Sequence, residues 1–323
     1  MANEKILVIG GAGYIGSHVV KALLREDFQV TVYDNLSTGQ TCNLFQNAEF
    51  VEGDILDEPH LEKVMRKGFS AVIHLAAKKA VGESMENPQL YSQNNICGSI
   101  NIFNAMLNSG VKNVVFSSTS AVYGMPQYLP LNEQHPLNPM SFYGYTKMAI
   151  EQVMDWYSRI KDFHYIALRY FNAVGYAADG SIRGKEKNPQ NLLPLVMEVA
   201  TGKREILHVF GNDYDTPDGT CVRDYIHVED LAAAHVLAIK KLLKDGDSQI
   251  INLGTEKGTS VLEIIQAVER VIGKKINYDF APRRAGDPAN VVATSVKAAE
   301  VLGWKAQYTD IDEIVKTVWN LEK

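Results

Sequence analysis

Short runs of β-branched and aromatic residues alternate along the chain with longer stretches in which apolar residues recur at helical spacing. Several short runs, such as ILVI at residues 6–9, are apolar at every position, which is typical of strands in a parallel sheet covered on both faces. The pattern predicts strands at residues 5–9, 29–34, 50–52, 71–75, 114–118, 165–169 and 249–253. It predicts helices at residues 14–25, 61–66, 91–109, 142–159 and 228–244. This alternation indicates an α/β fold with a doubly wound parallel sheet.

The amino-acid composition of the chain changes after about residue 175. Gly, Asn, Pro and Asp crowd residues 175–190 and 211–219, a composition typical of long loops that carry a binding site. We therefore predict a sheet domain over residues 1–175 that resumes at about 226–255. Residues 176–225 and 256–323 would form a smaller, interleaved α/β substrate lobe.

Composition and charge narrow the class of protein. The 323 residues are 46% hydrophobic and 22% charged, which is ordinary for a globular protein and excludes disordered, collagen-like and disulfide-scaffold classes. The 32 Lys and Arg against 38 Asp and Glu give a net charge of −6. Because nucleic-acid binding depends on an excess of cationic side chains, we expect no nucleic-acid partner.

Cysteine usage and apolar run lengths indicate the compartment. Cys42, Cys97 and Cys221 are odd in number and widely spaced, with no CxxC pair, so neither a disulfide framework nor a metal site is expected. The apolar run at residues 6–9 is too short for a signal peptide, and no run approaches the ~18 residues of a membrane span. We therefore expect a cytoplasmic protein with no membrane partner.

Three glycines follow the first predicted strand and begin the first predicted helix. Gly10, Gly13 and Gly16 form a G-x-x-G-x-x-G motif, in which glycine allows a tight turn and a close approach of backbone amides to a pyrophosphate. The motif alone is weak, but its strand–turn–helix context indicates a Rossmann-type dinucleotide site. Asp34 ends the second strand, where a carboxylate binds an adenosine 2′-hydroxyl and repels a 2′-phosphate, so NAD is favoured over NADP. The alternatives are plain turns for the glycines, a strand-end cap for Asp34, and either an adenine contact or a loop residue for Asp54.

Two Tyr–Lys pairs four residues apart lie on the helix predicted at 142–159 or just beyond it. They are Tyr143 with Lys147 and Tyr157 with Lys161. An ammonium beside a phenol lowers the pKa of that phenol, which would make tyrosine a base near neutral pH. The run of hydroxyl residues at 117–120 ends a strand at the carboxyl edge of the sheet, where ligands of such folds bind. The start of the helix faces that edge, so Tyr143 and Lys147 are predicted to be catalytic with Thr119, and Tyr157 to be a packing residue.

Nine segments spread over nearly the whole chain carry a family resemblance. They read GGAGYIGSH (10–18), YDNLSTG (33–39), EGDI (52–55), HLAAKKAVGES (74–84), FSSTSAVYG (116–124), YGYTK (143–147), LRYFNAVG (168–175), FGNDYDTPDGTCVRDYIHVEDLA (210–232) and APRRAGD (281–287). On these segments the chain resembles the extended short-chain dehydrogenases/reductases, and among them most closely the UDP-glucose 4-epimerases. Ser120 and Ala121 follow Thr119 where related dehydratases carry acidic residues, which disfavours a dehydratase.

The resemblance implies an NAD-dependent isomerase of galactose metabolism. It would interconvert UDP-galactose and UDP-glucose through a transient 4-keto sugar and enzyme-bound NADH. Tyr143 would remove the proton of the sugar 4-hydroxyl, Lys147 would lower the pKa of Tyr143 and hold the nicotinamide ribose, and Thr119 would bridge to the substrate hydroxyl. A homodimer through the helices predicted at 91–109 and 142–159 is also implied.

The resemblance further assigns binding residues position by position. Cofactor contacts would fall on Gly10, Gly13, Tyr14, Ile15, Gly16, Asp34, Asn35, Leu36, Ser37, Thr38, Gly39, Asp54, Ile55, Leu75, Ala76, Ala77, Lys79, Asn94, Thr119, Tyr143, Lys147 and Phe171. Contacts to the UDP-sugar substrate would fall on Asn172, Asn191, Leu192, His208, Val209, Phe210, Arg223, Tyr225, Arg284, Asp287 and Val291. The forked guanidinium groups of the two arginines suit diphosphate oxygens, with solvated surface ion pairs as the alternative.

Other functions stay open at this point. One is another NAD-dependent nucleotide-sugar epimerase or decarboxylase, for example on UDP-glucuronate. A second is a catalytically silent, NAD-sensing regulator, which the presence of Tyr143, Lys147 and Thr119 disfavours.

Val291 stands where some family members place a bulky tyrosine beside the sugar C2 substituent, so it either widens the pocket for UDP-N-acetylhexosamines or is simply core packing. His227 and His235 are expected to be structural.

Overall fold

The computed structural model describes residues 3–186, 189–284 and 286–323. Within these residues the strands are β1 (Lys5–Ile9), β2 (Gln29–Asp34), β3 (Glu49–Glu52), β4 (Ala71–His74), β5 (Asn113–Thr119), β6 (His164–Tyr170), β7 (Asn172–Val174), β8 (Leu207–Phe210), β9 (Val222–His227), β10 (Gln249–Leu253), β11 (Gly258–Ser260), β12 (Tyr278–Ala281) and β13 (Asn290–Val291). The α-helices are α1 (Tyr14–Arg25), α2 (Glu58–Met65), α3 (Val81–Glu86), α4 (Pro88–Tyr91), α5 (Gly98–Asn108), α6 (Phe142–Ile160), α7 (Leu192–Ala200), α8 (Val228–Asp245), α9 (Val261–Ile272), α10 (Val296–Leu302) and α11 (Ile311–Trp319).

The main sheet is parallel throughout the described residues, with strand order β3-β2-β1-β4-β5-β6-β10. This is a Rossmann-type order, and the predicted α/β fold is confirmed. The chain reverses direction across the sheet between β1 and β4, so the loops that leave these two strands diverge and open a crevice at the carboxyl edge.

The continuous apolar character of the strands has a simple cause. Ile6 and Val8 of β1 pack against α1 and α8 on one face of the sheet, whereas Leu7 and Ile9 pack against α2, α5 and α6 on the other. Because successive side chains of a strand point to opposite faces, a sheet covered twice must be apolar at every position.

The helix predicted at 91–109 is interrupted. Residues Ser92–Cys97 form a π-helical turn between α4 and α5. A π-turn holds one extra residue in the helical path, which shifts every later side chain around the helix axis. The hydrophobic period of the sequence does not report such a local change, so the single helix was the wrong prediction there.

The second lobe is built around β9. This strand pairs with β7 and β13 in parallel and with β11 in antiparallel fashion, while β8 pairs with β12 in a separate ribbon. Helices α7, α9 and α11 bury apolar side chains beneath them. Helix α9 begins with a capping box in which Ser260 and Glu263 each bind the other's backbone amide, and it ends at Gly273 with φ 70°.

Helix α1 is linked by polar contacts to the loop after β7 and to the start of α8. The ammonium of Lys21 contacts Asp179 at 2.7 Å and Glu229 at 3.1 Å, and the hydroxyl of Tyr14 donates to the carbonyl of Gly175 at 2.5 Å. The glycine-loop helix is therefore tied to residues 175–179, where the predicted second lobe begins.

Part of the C-terminal segment packs on the sheet rather than on the second lobe. Ala298 and Leu302 of α10, together with Trp304, lie in the same apolar cluster as α1 and α8. The indole of Trp304 also donates to the carbonyl of Asp230 at 2.9 Å. Across the described residues, no helix is both long enough and apolar enough to cross a membrane.

Candidate active site at the carboxyl edge of the sheet

The glycine loop connects β1 to α1 and needs glycine for close packing. Gly10 has φ +88°, and a Cβ there would lie 2.7 Å from the amide nitrogen of Ala76 in the loop after β4. A Cβ at Gly16 would collide with the carbonyl oxygen of Gly10. Helix α1 begins after Gly13, whose backbone makes the N-cap without a side-chain hydrogen bond. The turn is therefore held tight while the helix N-terminus stays accessible to an anion.

Asp34 ties the glycine loop to the end of β2. Its carboxylate accepts hydrogen bonds from the amide of Ala12 at 3.0 Å and the amide of Leu36 at 2.8 Å. Burial raises the pKa of this carboxyl, and the two amides oppose that shift. Asp34 therefore orders both loops that would surround an adenosine ribose, in addition to ending its strand.

The carboxylate of Asp54 accepts from the side chain of Asn35 at 2.8 Å and from an amide in its own loop at 2.9 Å.

Two buried asparagines that the sequence reasoning missed hold the walls of the crevice. Asn95, in the π-turn, accepts from the amide of Lys78 and donates to its carbonyl, both at 2.9 Å, and also donates to the hydroxyl of Thr146 at 3.2 Å. Asn43 donates to the carbonyl of Ala12 at 3.2 Å and accepts from the amide of Gly184 at 2.9 Å. No motif marks either residue, because each acts through backbone groups brought near it only by folding.

A segment of the second lobe reaches across to the sheet domain. Besides the Asn43 bond to Gly184, the side chain of Gln40 binds the carbonyl of Lys185, and Lys79 pairs with Glu186. Residues 184–186 therefore lie against elements predicted to bind the cofactor.

Tyr143, Lys147 and Thr119 come together as predicted. Helix α6 begins at the cap formed by Ser141, so Tyr143 and Lys147 lie in its first two turns beside the end of β5. The ammonium of Lys147 donates to the carbonyl of Ser117 at 2.7 Å and lies 6.0 Å from the centre of the Tyr143 ring. The hydroxyl of Thr119, the last residue of β5, accepts a hydrogen bond from the amide of Ala121 at 3.2 Å and lies near enough to the phenol of Tyr143 to act on its pKa.

The charge states of this pair differ from the simple expectation. Burial raises the pKa of Tyr143 to about 12, although the bond from Thr119 opposes the shift. Burial lowers the pKa of Lys147 to about 7, and the carboxylate of Glu151 opposes that shift. The predicted net lowering of the Tyr143 pKa by Lys147 is therefore not seen. The low dielectric constant of this surrounding raises the free energy of each charged group by itself. It also strengthens the Coulomb attraction between the phenolate and the ammonium when both are formed.

The alternative Tyr–Lys pair is structural. The ring of Tyr157 packs between Phe103 and Phe163, and its hydroxyl donates to Asn104 at 3.0 Å. Helix α6 ends at Ile160, so Lys161 lies beyond it.

His227 and His235 are buried, which lowers the pKa of each imidazole to about 4 and keeps it neutral.

The second lobe presents two arginines. Arg223 donates to the carboxylate of Asp287 at 2.6 Å, and the guanidinium of Arg284 stacks 3.9 Å from the centre of the Phe210 ring. Val291 pairs with Arg223 across β13 and β9 and packs against the apolar cluster of Val122, Tyr123, Leu131, Phe171 and Ala293. Val291 therefore connects the arginine region to the turn that follows Thr119.

The remaining predicted binding residues differ in how exposed their side chains are. Tyr225 and Val209 are buried in the core of the second lobe, Ile55 is buried in the sheet domain, and His208 is exposed and paired with Asp279. Asn191 caps α7 just before Leu192, and Asn172 begins β7 directly after the buried Phe171. Partly exposed side chains near the crevice are Ile15, Leu75, Ala76, Ala77 and Asn94, whereas Ser37 and Thr38 lie in the loop after β2.

A Rossmann-type sheet with a tyrosine and a lysine four residues apart on the helix after β5 defines the class of the short-chain dehydrogenases/reductases. The model of the NAD dependent epimerase/dehydratase family matches residues 6–254, and the chain belongs to this family.

Named relatives align with this chain over nearly its whole length. The UDP-glucose 4-epimerase of Lactobacillus helveticus is 45% identical over 321 residues, covering 99% of this chain and 97% of its own. The structure of UDP-glucose 4-epimerase from Brucella ovis in complex with NAD is similar with a TM-score of 0.95 and 45% identity, covering 97% of both chains. The UDP-Glc/GlcNAc 4-epimerase of Campylobacter jejuni is similar with a TM-score of 0.88 and 38% identity, covering 99% of both chains. The resemblance drawn from the sequence is confirmed.

Replacing Gly16 with alanine tests the glycine loop. The added methyl group would collide with the Gly10 carbonyl, so the loop must open, and we expect NAD affinity measured by calorimetry to fall by about tenfold or more. Gly82→Ala is the matched control, because a Cβ at Gly82 meets nothing within 4 Å. Equal NAD affinity in the two variants would contradict the assigned role of the loop.

Proposed function

We propose that this protein is a UDP-glucose 4-epimerase that interconverts UDP-galactose and UDP-glucose in galactose metabolism. The observation that carries the proposal is the meeting of Tyr143, Lys147 and Thr119 at the carboxyl edge of a Rossmann-type sheet, opposite a lobe that carries Arg223 and Arg284. The named relatives support the choice of substrate. Incubation with UDP-galactose followed by product analysis tests it, with UDP-glucuronate in parallel to test the alternative epimerase or decarboxylase.

The residues present fit NAD as the cofactor. The glycine turn leaves no room for side chains at Gly10 and Gly16, and Asp34 supplies a buried carboxylate beside that turn. We assign the cofactor site to the glycine loop, the loop after β2, Asp54, the loop after β4, Asn94 and Phe171. NAD bound there would supply reversible hydride transfer at sugar C4, so the reaction would have no net redox change.

The protein's own groups move and hold the proton. Tyr143 takes the proton of the sugar 4-hydroxyl, directly or through the hydroxyl of Thr119, and gives it back when the sugar is reduced. Lys147 stabilises the phenolate by its charge and is assigned to the nicotinamide ribose. Because Lys147 is buried and Tyr143 is partly buried, the ion pair that they form is screened less than in water, which strengthens its attraction.

The second lobe anchors the nucleotide while the sugar turns. Arg223 and Arg284 are assigned to the diphosphate, since a guanidinium binds phosphate oxygens in pairs. The remaining substrate residues, including Asn172, Asn191 and Asp287, line the same lobe or its border.

We assign NAD to residues 1–175 and 226–255 and the UDP-sugar to residues 176–225 and 256–323, with α10 and Trp304 packed on the sheet domain. The three free thiols support a reducing, cytoplasmic location.

Tyr143→Phe removes the proposed base without changing its ring. We expect turnover of UDP-galactose to fall by about 10²- to 10⁴-fold while NAD stays bound, as measured by initial rates and by cofactor release on denaturation. Tyr157→Phe is the matched control on the same helix, because its hydroxyl contacts only Asn104 among the described side chains, and its rate should stay near wild type. A near-normal rate in the Tyr143 variant removes it from the mechanism.

We further propose that the sugar pocket accepts UDP-N-acetylhexosamines. Val291 lies between the turn after Thr119 and Arg223, and its small side chain is half-buried there. A larger side chain at this position would take the space of a C2 acetamido group. The C. jejuni relative, named as a UDP-Glc/GlcNAc 4-epimerase, supports this range of substrates.

Val291→Tyr tests the size of the pocket. We expect turnover of UDP-N-acetylglucosamine to fall by about tenfold or more relative to UDP-galactose, because the added ring excludes the acetamido group by contact. The ratio of the two kcat/KM values is the measurement. Absence of any wild-type turnover on UDP-N-acetylglucosamine would show that Val291 is simply core packing.

A homodimer through α6 and the helices of residues 88–108 is the third proposal. On α6, Tyr145, Trp156 and Ile160 project from one face, and the last two are 60% and 63% exposed. Met85 and Leu90 are exposed on the neighbouring helices α3 and α4. A second copy would bury this apolar surface, as in isologous dimers.

Trp156→Glu should convert the dimer into a monomer, because a carboxylate in an apolar interface must lose its hydration. Light scattering coupled to size exclusion measures the mass. Val296→Glu is the control, since Val296 is 57% exposed on the distant helix α10. A wild-type protein that is monomeric at every concentration would refute the proposal.

A further inference from the structure

Helix α6 is joined to the end of β5 at three regularly spaced positions. Tyr143 lies beside the hydroxyl of Thr119, Lys147 donates to the carbonyl of Ser117, and Glu151 accepts from the hydroxyl of Ser118. Residues four apart lie on one face of a helix, so three successive turns of α6 meet three consecutive residues of β5. The proposed mechanism uses the first two of these contacts and leaves Glu151 without a role.

Glu151 is held in place by a buried arginine. Arg169 of β6 donates from Nε at 2.9 Å and from Nη2 at 2.5 Å to the two carboxylate oxygens, and the side chains are only 2% and 3% exposed. Arg169 also donates to the hydroxyl of Tyr123 at 3.1 Å, and that hydroxyl donates to Asn252 of β10 at 2.6 Å. The carboxylate is therefore fixed by contacts to β5 and β6, with the network continuing to β10.

Stability alone does not account for such a pair. Taking two charges out of water is costly, and well-packed apolar residues in place of a buried ion pair often give an equally stable protein. What an apolar pair cannot supply is a fixed negative charge one helical turn from Lys147. Along α6 and onto β6 the charges of the reacting state alternate: phenolate at Tyr143, ammonium at Lys147, carboxylate at Glu151 and guanidinium at Arg169.

We propose that Glu151 is a positioning residue for catalysis, which with Arg169 seats α6 on β5 and keeps Lys147 in its charged form. This inference rests on the proposed function of Tyr143 and Lys147. It assigns to Glu151 no contact with substrate or cofactor, because its carboxylate is wholly engaged by Ser118 and Arg169.

Among the described residues, Glu151 is the carboxylate whose charge acts on Lys147. The titratable groups around Lys147 and Tyr143 are His74 of β4, Tyr91 of α4, Tyr143 and Glu151 of α6, and Arg169 and Tyr170 of β6. Burial lowers the pKa of His74 to about 3 and raises the pKa of Tyr91 and Tyr170, so these three are neutral at pH 7. Burial lowers the pKa of Lys147 and Glu151 raises it, so loss of the carboxylate lets the ammonium lose its proton at lower pH.

Glu151→Gln in the NAD-loaded enzyme is the first test. We expect kcat for UDP-galactose to fall about tenfold at alkaline pH with KM nearly unchanged, and the alkaline limb of the kcat–pH profile to move down by about one pH unit. Asp245→Asn is the matched control, because it removes one carboxylate that pairs with Lys241 four residues away on the exposed end of α8. Its profile should overlay the wild type.

A second variant separates positioning from folding. Glu151→Gln leaves the buried charge of Arg169 without a carboxylate to balance it, which destabilises the fold. Glu151→Gln/Arg169→Met removes both charges, so we expect thermal stability to recover while the shifted alkaline limb remains. A double variant with the wild-type rate and profile would overturn the inference.

A direct titration distinguishes this inference from the proposed function. The ammonium of Lys147 is followed by NMR of isotope-labelled lysine side chains, assigned by its absence from Lys147→Met. The midpoint should fall by about one pH unit in Glu151→Gln whether or not the enzyme acts on UDP-galactose. An unchanged midpoint refutes the role of Glu151, whereas a shifted midpoint in an enzyme without UDP-galactose turnover refutes only the substrate assignment.

Discussion

The placement of a buried lysine beside a half-buried tyrosine where α6 meets β5 is the constraint on which the rest of the site depends. Neither the phenolate of Tyr143 nor the ammonium of Lys147 is favoured alone in this surrounding, since burial shifts each pKa toward the neutral form. Proton transfer at this place therefore requires that the groups be held at a fixed separation. The long helix α6, capped at Ser141 and bonded to consecutive residues of β5, provides that rigidity.

Ligand binding is divided between two chemically different surfaces. The sheet domain offers backbone amides at a glycine turn, and the second lobe offers guanidinium groups on Arg223 and Arg284. A net charge of −6 is compatible with two diphosphate ligands because the positive potential is local. The acidic balance of the whole chain thus says little about small anionic ligands, although it speaks against nucleic acid.

Prediction from sequence succeeded where a local pattern has one structural cause. Strands β1, β2 and β10 and helix α1 have the predicted bounds, because apolar runs buried on both faces and a glycine turn leave little choice. It failed where neighbours distant in sequence decide the outcome. The π-turn at Ser92–Cys97, the roles of Asn43 and Asn95, and the upward pKa shift of Tyr143 all arise from packing that no spacing in the chain reports.

The polar contacts of α1 limit how the glycine turn can move. Tyr14 and Lys21 reach Gly175, Asp179 and Glu229 from the helix that begins at that turn, so neither residues 175–179 nor the start of α8 can shift relative to α1 without breaking bonds to the cofactor-binding element itself. Any displacement of residues 175–179 is therefore coupled to the helix whose N-terminus lies at the cofactor site.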